Sequence, residues 1–269
     1  MTKDEYKLAC EKDSYLIDRK PISEPEIRLH LKEVDFHCPL CGKVLQSHNQ
    51  KKFNKKFEIA HIYPNSPKFE QYINLNHLER LGENSESFEN KIALCKDCHS
   101  EYDHHTTKDE YLKLVEKKKQ LNNLIDMSEI LDTIDIDRSI KTVINKLKQI
   151  EVEEDDNIEL NYNPVEIDNK IKDYSIFRKK IKNNVLTYFP LVRDIFKEVV
   201  GDDNDYEIIS IEIKKAYIKI KKMSEKQELI FSKMVEWLKN KTQELTNDVC
   251  EIIISYFVQN CEVFDEITK

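Results

Sequence analysis

The spacing of apolar and polar positions changes character along the chain. Over residues 1–35 charged side chains dominate, and Leu29, Leu31 and Val34 predict a partly helical lead-in whose apolar residues anchor on the cysteine-bearing segment after it. From Phe36 to Asp103 the pattern shortens into turns and β-like pieces. Phe57-Glu-Ile-Ala-His-Ile62 predicts a strand, a second strand leads from Asn90 into Cys95, and a helix is expected to start near Asp97 or Cys98. Residues 68–88 read as an inserted, mostly helical excursion ending in the turn-prone Gly82-Glu83-Asn84-Ser85. Tyr111, Leu112, Val115 and Leu121 space a charged helix over 108–124.

An Ile/Leu-periodic stretch comes next, then Glu151-Val-Glu-Glu-Asp-Asp-Asn157, an acidic run expected to be a linker or exposed loop. From Ile171 onward the pattern predicts four helices, broken near Pro190, at Gly201-Asp-Asp-Asn204 and around Met223-Ser224. Ser224 and Gln227 form a candidate capping box for the helix containing Phe231, Met234, Val235 and Leu238. The last helix carries Val249, Ile252, Ile253, Tyr256, Phe257, Val263 and Phe264. That arc is too broad for an isolated surface helix, so it is either the centre of a small bundle or a subunit interface.

Composition agrees with long helices around one irregular segment. The 269 residues include only three glycines and seven prolines, which disfavours a turn-rich sandwich or barrel, and no glycine-rich phosphate loop is present, so the chain is not itself an ATPase. No apolar leader opens the chain and no stretch is long and apolar enough for a membrane span, so a soluble cytoplasmic protein is expected. The fold class expected is an α+β first half followed by a mostly α-helical second half. Three segments are predicted: 1–125 with a helical lead-in, 126–165 as a helical and acidic linker, and 166–269 as an all-α domain for partner binding or oligomerisation.

The candidate chemistry lies in the first half. Cys38-Pro-Leu-Cys41 and Cys95-Lys-Asp-Cys98 are two pairs that each offer two sulfurs from one turn, and together they can close a tetrahedral structural Zn2+ site. Cys10, Cys250 and Cys261 are left over; the last two stand in an apolar stretch that suits inert buried thiols. His61, in Glu58-Ile-Ala-His61-Ile-Tyr-Pro64, and His99, directly after Cys98, complete the set. His30, His37, His48 and His77 have no comparable context.

The order Cys-x2-Cys, Ala-His61-Ile-Tyr-Pro, Asn90-x4-Cys95-x2-Cys98-His99 resembles the HNH endonucleases over residues 36–105. That resemblance implies a zinc-stapled ββα-metal nuclease domain acting on DNA, with His61 as general base, His99 holding a divalent Mg2+ or Mn2+, and Asn90 fixing the loop or the His61 backbone. A neutral imidazole suits the base because its ordinary pKa lies near cellular pH. Many relatives carry Asp or His as a metal ligand immediately before the base, whereas this chain has Ala60. Asp103, one helical turn after His99, and Glu58, on the strand face of Ala60, are the replacement ligands considered, Asp103 being favoured. His104 and His105 either contact DNA or cap the helix.

Net charge is −8, yet Lys51, Lys52, Lys55 and Lys56 cluster just before the first strand. They are either a DNA phosphate-contacting patch or a solvated face.

The second half, in Tyr188-Phe-Pro, Ile195-Phe, Ile230-Phe, Met234-Val-Glu-Trp-Leu238 and Ile254 to Phe264, resembles the C-terminal helical domain of effectors from ABC three-component systems, the group that includes Lamassu-type anti-phage defence. The implied function is a DNA endonuclease of low sequence specificity, acting as the effector subunit of a complex with an SMC-like ABC ATPase and a small third subunit. It is expected to homo-oligomerise when active, since one HNH site cuts one strand. The alternatives are a freestanding restriction or homing-type HNH endonuclease dimerised by its helical half, and an inactive zinc-binding adaptor.

Overall fold

Residues 1–46, 56–149, 165–172, 176–200, 203–260 and 263–264 are described by the computed structural model of the chain, and their contacts divide it into two units, Met1–Ile125 and Asp126–Lys269. The first begins with two capped helices. Thr2 and Glu5 exchange backbone and side-chain hydrogen bonds of 2.7 and 3.2 Å at the start of α1 (Lys3–Lys12). The Ser23 hydroxyl accepts the Glu26 N–H at the start of α2 (Glu24–Glu33), with Pro25 in its first turn.

Strands β1 (Phe57–His61) and β2 (Lys91–Cys95) pair antiparallel, with Ile59 opposite Ala93 and His61 opposite Lys91. Helix α4 (Lys96–His105) follows β2 directly, its first turn capped by the Cys95 sulfur, which accepts the Cys98 N–H. Phe57, Ile59, Ile92, Leu94 and Tyr102 are buried around this layer with Leu31 and Val34. Leu29 is exposed, contrary to its expected anchoring role: it points away on the charged side of α2. The 68–88 excursion holds one short helix, α3 (Phe69–Leu75), and is otherwise irregular, so it is less helical than expected. Arg80 within it lies over Tyr63, 4.1 Å from the ring centroid, and pairs with Asp13 at 2.7 Å.

Helix α5 (Lys108–Asp132) is longer than predicted and continues past the unit boundary. Tyr111, Leu114 and Val115 bury against the first core, whereas Leu112 is exposed.

In the second unit the end of α5 and the helix α6 (Ser139–Gln149), joined by the non-helical residues 133–138, bury Met127, Leu131, Ile140, Val143, Ile144 and Leu147 in the core. The first part of the segment expected as a helical and acidic linker, 126–165, therefore belongs to the core. The acidic run at 151–157 lies outside the described residues, as does Cys261. Short helix α7 (Val165–Lys170) precedes α8 (Ile176–Val200), which runs straight through Pro190 without the expected break. Proline removes one backbone donor but holds a helical φ, and the buried stripe Val185, Phe189, Val192, Ile195 and Phe196 on both sides of it offsets the loss.

Helices α9 (Asp203–Lys221) and α10 (Gln227–Thr242) follow. Ser224 does not cap α10. Its hydroxyl takes the Lys226 N–H, and Gln227 instead bonds the Lys170 carbonyl at 2.7 Å and the Lys172 N–H at 3.2 Å. Helix α11 (Asp248–Gln259) is the centre of this unit: Cys250, Ile253, Ile254, Phe257 and Val258 are wholly buried, and Tyr256 stacks on Phe189 and Phe196. The buried Lys170 donates to the Val258 carbonyl at 2.6 Å, a cation at a helix C-terminus. The broad apolar arc of α11 is therefore core. Among the described residues no helix is long and apolar enough to cross a membrane.

The buried His30, Glu33 and Lys118 should make the first unit acid-sensitive. The wholly buried His30 ring stacks on Phe88 with centroids 4.1 Å apart, between Glu33 at 3.5 Å and Glu26 at 3.9 Å, and Glu33 in turn pairs with buried Lys118 at 2.5 Å. Burial lowers the His30 pKa below 6.5 despite both carboxylates. Below that value the unfolded chain binds the proton more readily, so stability is full above about pH 6.5 and is lost as pH falls toward the folded-state value. The melting temperature should drop more steeply between about pH 6.5 and pH 5 in the wild type than in His30→Gln. Parallel slopes would contradict it.

Candidate functional site

The site forms where β1, β2 and α4 meet the irregular loops around them. The knuckle at 38–44 turns on Gly42, whose φ of +74° suits glycine, with the Gly42 N–H donating to the Cys38 carbonyl at 2.8 Å and His37 bridging Val44. That turn brings Cys38 and Cys41 to Cys95 and Cys98, and the four sulfurs lie within 4.8 Å of one another. An ion with metal–sulfur bonds of about 2.3 Å would set tetrahedral sulfurs about 3.8 Å apart, so the cluster needs only slight contraction to bind zinc.

The chemistry of the donors agrees. Burial opposes ionisation of Cys38, but backbone donors at Cys95, Leu40 and Cys41 outweigh it and bring the thiol down to about 7. Burial and the neighbouring sulfurs push Cys98 up. Four crowded thiols cannot all ionise without a cation among them. Lys43 pairs with Asp97 at 2.6 Å and ties the knuckle to the start of α4 from outside.

Asn90 lies wholly buried at the entry to β2. Its side-chain oxygen accepts the Tyr63 N–H at 2.8 Å, its amide donates to the Tyr63 and Ser85 carbonyls at 3.0 and 2.9 Å, and its own carbonyl accepts the Ile62 N–H at 2.7 Å. It thus clasps the chain that leaves β1 just after His61.

The two histidines stand in separate polar settings. Strand alternation gives Glu58 and Ala60 one face of β1 and His61 the other. The His61 Nε2 meets the Glu86 carboxylate at 2.8 Å, and both side chains are buried. Burial pulls the His61 pKa below 6.5, against the carboxylate, which leaves the ring neutral at neutral pH. His99, on α4, meets Glu58 through Nδ1 and Asp103 through Nε2, the latter at 3.3 Å. Glu58 and Asp103 are about half exposed, so this face is open to solvent. Both carboxylates considered for the place beside Ala60 thus touch His99, on opposite edges of its ring.

Sequence reasoning missed Glu86. It comes from an irregular loop without periodicity, and neither its type nor its spacing from His61 singles it out. His104 bonds the Ser100 carbonyl one turn back at 2.8 Å, while the side chain of His105 lies outside the described residues. Lys51, Lys52 and Lys55 also lie outside them; Lys56 is described and exposed.

Removing the Asn90 side chain orphans the buried Tyr63 N–H and two carbonyls. Asn90→Ala should cost about 2–4 kcal/mol, read as a lower urea midpoint. An unchanged midpoint would mean water replaces the clasp.

Residues 38–107 match the family described as HNH endonuclease. Residues 127–264 match the family described as C-terminal domain 11 of the ABC-three component (ABC-3C) systems. No curated protein and no solved structure matches the chain. Through the second match, which takes in more than half of its residues, the chain belongs to the family of ABC three-component system proteins with C-terminal domain 11, and it carries an HNH endonuclease domain ahead of it.

Proposed function

We propose that the first unit is a metal-dependent DNA endonuclease and that the chain is the effector of an anti-phage defence complex, of Lamassu type, with an SMC-like ABC ATPase and a small third subunit. The observation that carries the reading is His99 held between Glu58 and Asp103, on the strand–helix pair whose first strand ends in His61. It lies inside the segment that matches HNH endonucleases.

Asp103 and the Nε2 of His99 would hold Mg2+ or Mn2+, and Glu58 would orient the ring from Nδ1, the arrangement by which a carboxylate fixes the tautomer of a ligating imidazole. Such an ion, when bound, supplies positive charge to the scissile phosphate and the leaving oxygen. His61, kept neutral by burial, takes a proton from the attacking water. Asn90 holds the backbone after His61 so that the ring keeps its direction. A structural Zn2+ at Cys38, Cys41, Cys95 and Cys98 would fasten α4, and with it His99, to the knuckle. Lys51, Lys52, Lys55 and Lys56 would meet phosphates, which favours low sequence specificity.

The family of the second unit supports work inside a multi-component complex. Restraint by partners fits a nuclease that would otherwise attack host DNA. Two copies brought together on activation would cut both strands.

Purified full-length protein should nick supercoiled plasmid with Mg2+ or Mn2+, and His61→Ala should reduce cutting on the order of 100-fold or more. Asp103→Asn should raise the metal concentration needed roughly 10-fold or more, with Glu58→Gln affecting it less. Absence of cutting with and without the partner proteins would favour the adaptor alternative.

Elemental analysis should find zinc in the protein, and a strong chelator or Cys38→Ser should lower the melting temperature. A metal-free protein of unchanged stability would refute the staple.

A further inference from the structure

We propose that Glu86 is the positioning residue of His61: its carboxylate accepts the Nε2–H, fixes the ring in that tautomer and leaves Nδ1 as the atom that takes the proton. The catalytic use of the ring rests on the nuclease reading above; the positioning does not. The Nε2 to Oε1 distance is 2.8 Å, and Glu86 is buried to the same degree as the ring it meets. Oε1 also accepts the Asn65 amide at 2.9 Å, and the buried Oε2, which has no hydrogen-bond partner among the described residues, pairs by charge with the Lys91 ammonium at 3.1 Å, so the carboxylate is held mainly through Oε1. Lys91 stands opposite His61 on β2 and continues to Glu26 on α2 at 3.1 Å.

The loop that presents Glu86 is built to hold it still. Gly82 has a φ of +74°, and a Cβ there would collide with Ser87. The Asn84 side chain accepts the Glu86 N–H at 3.0 Å, and the Ser85 N–H donates to the Tyr15 carbonyl at 2.7 Å. The Ser85 hydroxyl accepts the Ile17 N–H at 3.1 Å and the Asn65 amide at 2.9 Å. Asn90 adds its amide to the Ser85 carbonyl. One asparagine therefore secures both the chain after His61 and the loop bearing its carboxylate partner.

The charged groups around the ring are Glu86, Lys91 on β2 and Arg19 from the segment between α1 and α2. Burial opposes the Glu86 charge, but His61 and Lys91 outweigh burial and hold its pKa below 4.5, so it is an anion at neutral pH. An anion at Nε2 orients the imidazole and stabilises the imidazolium formed when the proton of the attacking water settles on Nδ1.

The test compares full-length wild type with Glu86→Gln and Glu86→Asp. In 15N spectra of the histidine rings, with His61 assigned by its loss in His61→Ala, the wild type should show the Nε2–H tautomer at neutral pH, and Glu86→Gln should shift the ring toward the other tautomer. Plasmid cleavage by Glu86→Gln with Mn2+ should fall on the order of 100-fold, and Glu86→Asp should recover part of it. Glu86 raises the proton affinity of His61, so its removal should also move the acid limb of the pH–rate profile to lower pH.

An unchanged tautomer and an unchanged acid limb would overturn the proposal even if the rate fell, because loop damage alone produces that pattern. An Nδ1–H tautomer in the wild type would overturn it without any variant. A tautomer shift in a protein that never cuts DNA would sustain the positioning role and sink the nuclease reading, while cutting with no shift would do the reverse.

Discussion

The buried Asn90 carboxamide is the constraint on which the arrangement of the first unit depends. It satisfies the Tyr63 N–H and two carbonyls, at Tyr63 and Ser85, in a place where water has no access. Because those groups belong to the chain leaving β1 and to the loop before β2, one side chain fixes both edges of the polar cluster around His61. The pairing of β1 with β2 sets which residues face which, but the clasp decides where the turns beyond the strand ends go. An unpaired backbone group there would cost about 1–3 kcal/mol, a sizeable share of the roughly 5–15 kcal/mol by which a domain is stable.

A second constraint comes from the thiols. Cys95 closes β2, caps α4 and belongs to the four-sulfur cluster, so strand, helix and knuckle meet at one residue. His99 follows Cys98 on the same helix and meets Glu58 on β1. In the second unit the organising element is instead α11, whose apolar residues are enclosed by α6, α8 and α10, with the Lys170 ammonium on the carbonyl of Val258 near its end. Each unit has its own buried core, and the two obey different rules: irregular loops held by polar side chains in one, helix faces held by apolar contact in the other.

Much of this was legible in the sequence where a strong local pattern carried it. The strand Phe57–His61, the strand into Cys95, and the gathering of the four cysteines follow from alternation and paired spacing. The helical second half was equally plain, and its match to the ABC three-component family agrees with the resemblance in the chain. Pro190 misled because breaker rules weigh the lost donor and ignore the buried face on either side of it. Ser224 looked like a cap because the spacing to Gln227 was right, yet Gln227 was committed to the end of α7. Residues 126–149, the first part of the segment expected as a linker over 126–165, bury apolar residues whose partners lie far along the chain, where no local period shows them; Trp237, for one, donates to the Ile134 carbonyl. Glu86 had no signal at all, since its partner is fixed by loop closure between segments rather than by any period.

The central claim is that this chain carries two metal positions of different chemistry: a closed thiolate site that fastens the fold, and an open carboxylate–imidazole site that serves hydrolysis. Anomalous diffraction from crystals of the full chain grown with Mn2+, recorded at the zinc and manganese absorption edges, tests it most directly. The account predicts a zinc peak among Cys38, Cys41, Cys95 and Cys98 and a separate manganese peak against His99 Nε2 and Asp103. Zinc among the sulfurs with no manganese at His99 would contradict it, leaving a stapled fold without the ion that the proposed hydrolysis requires.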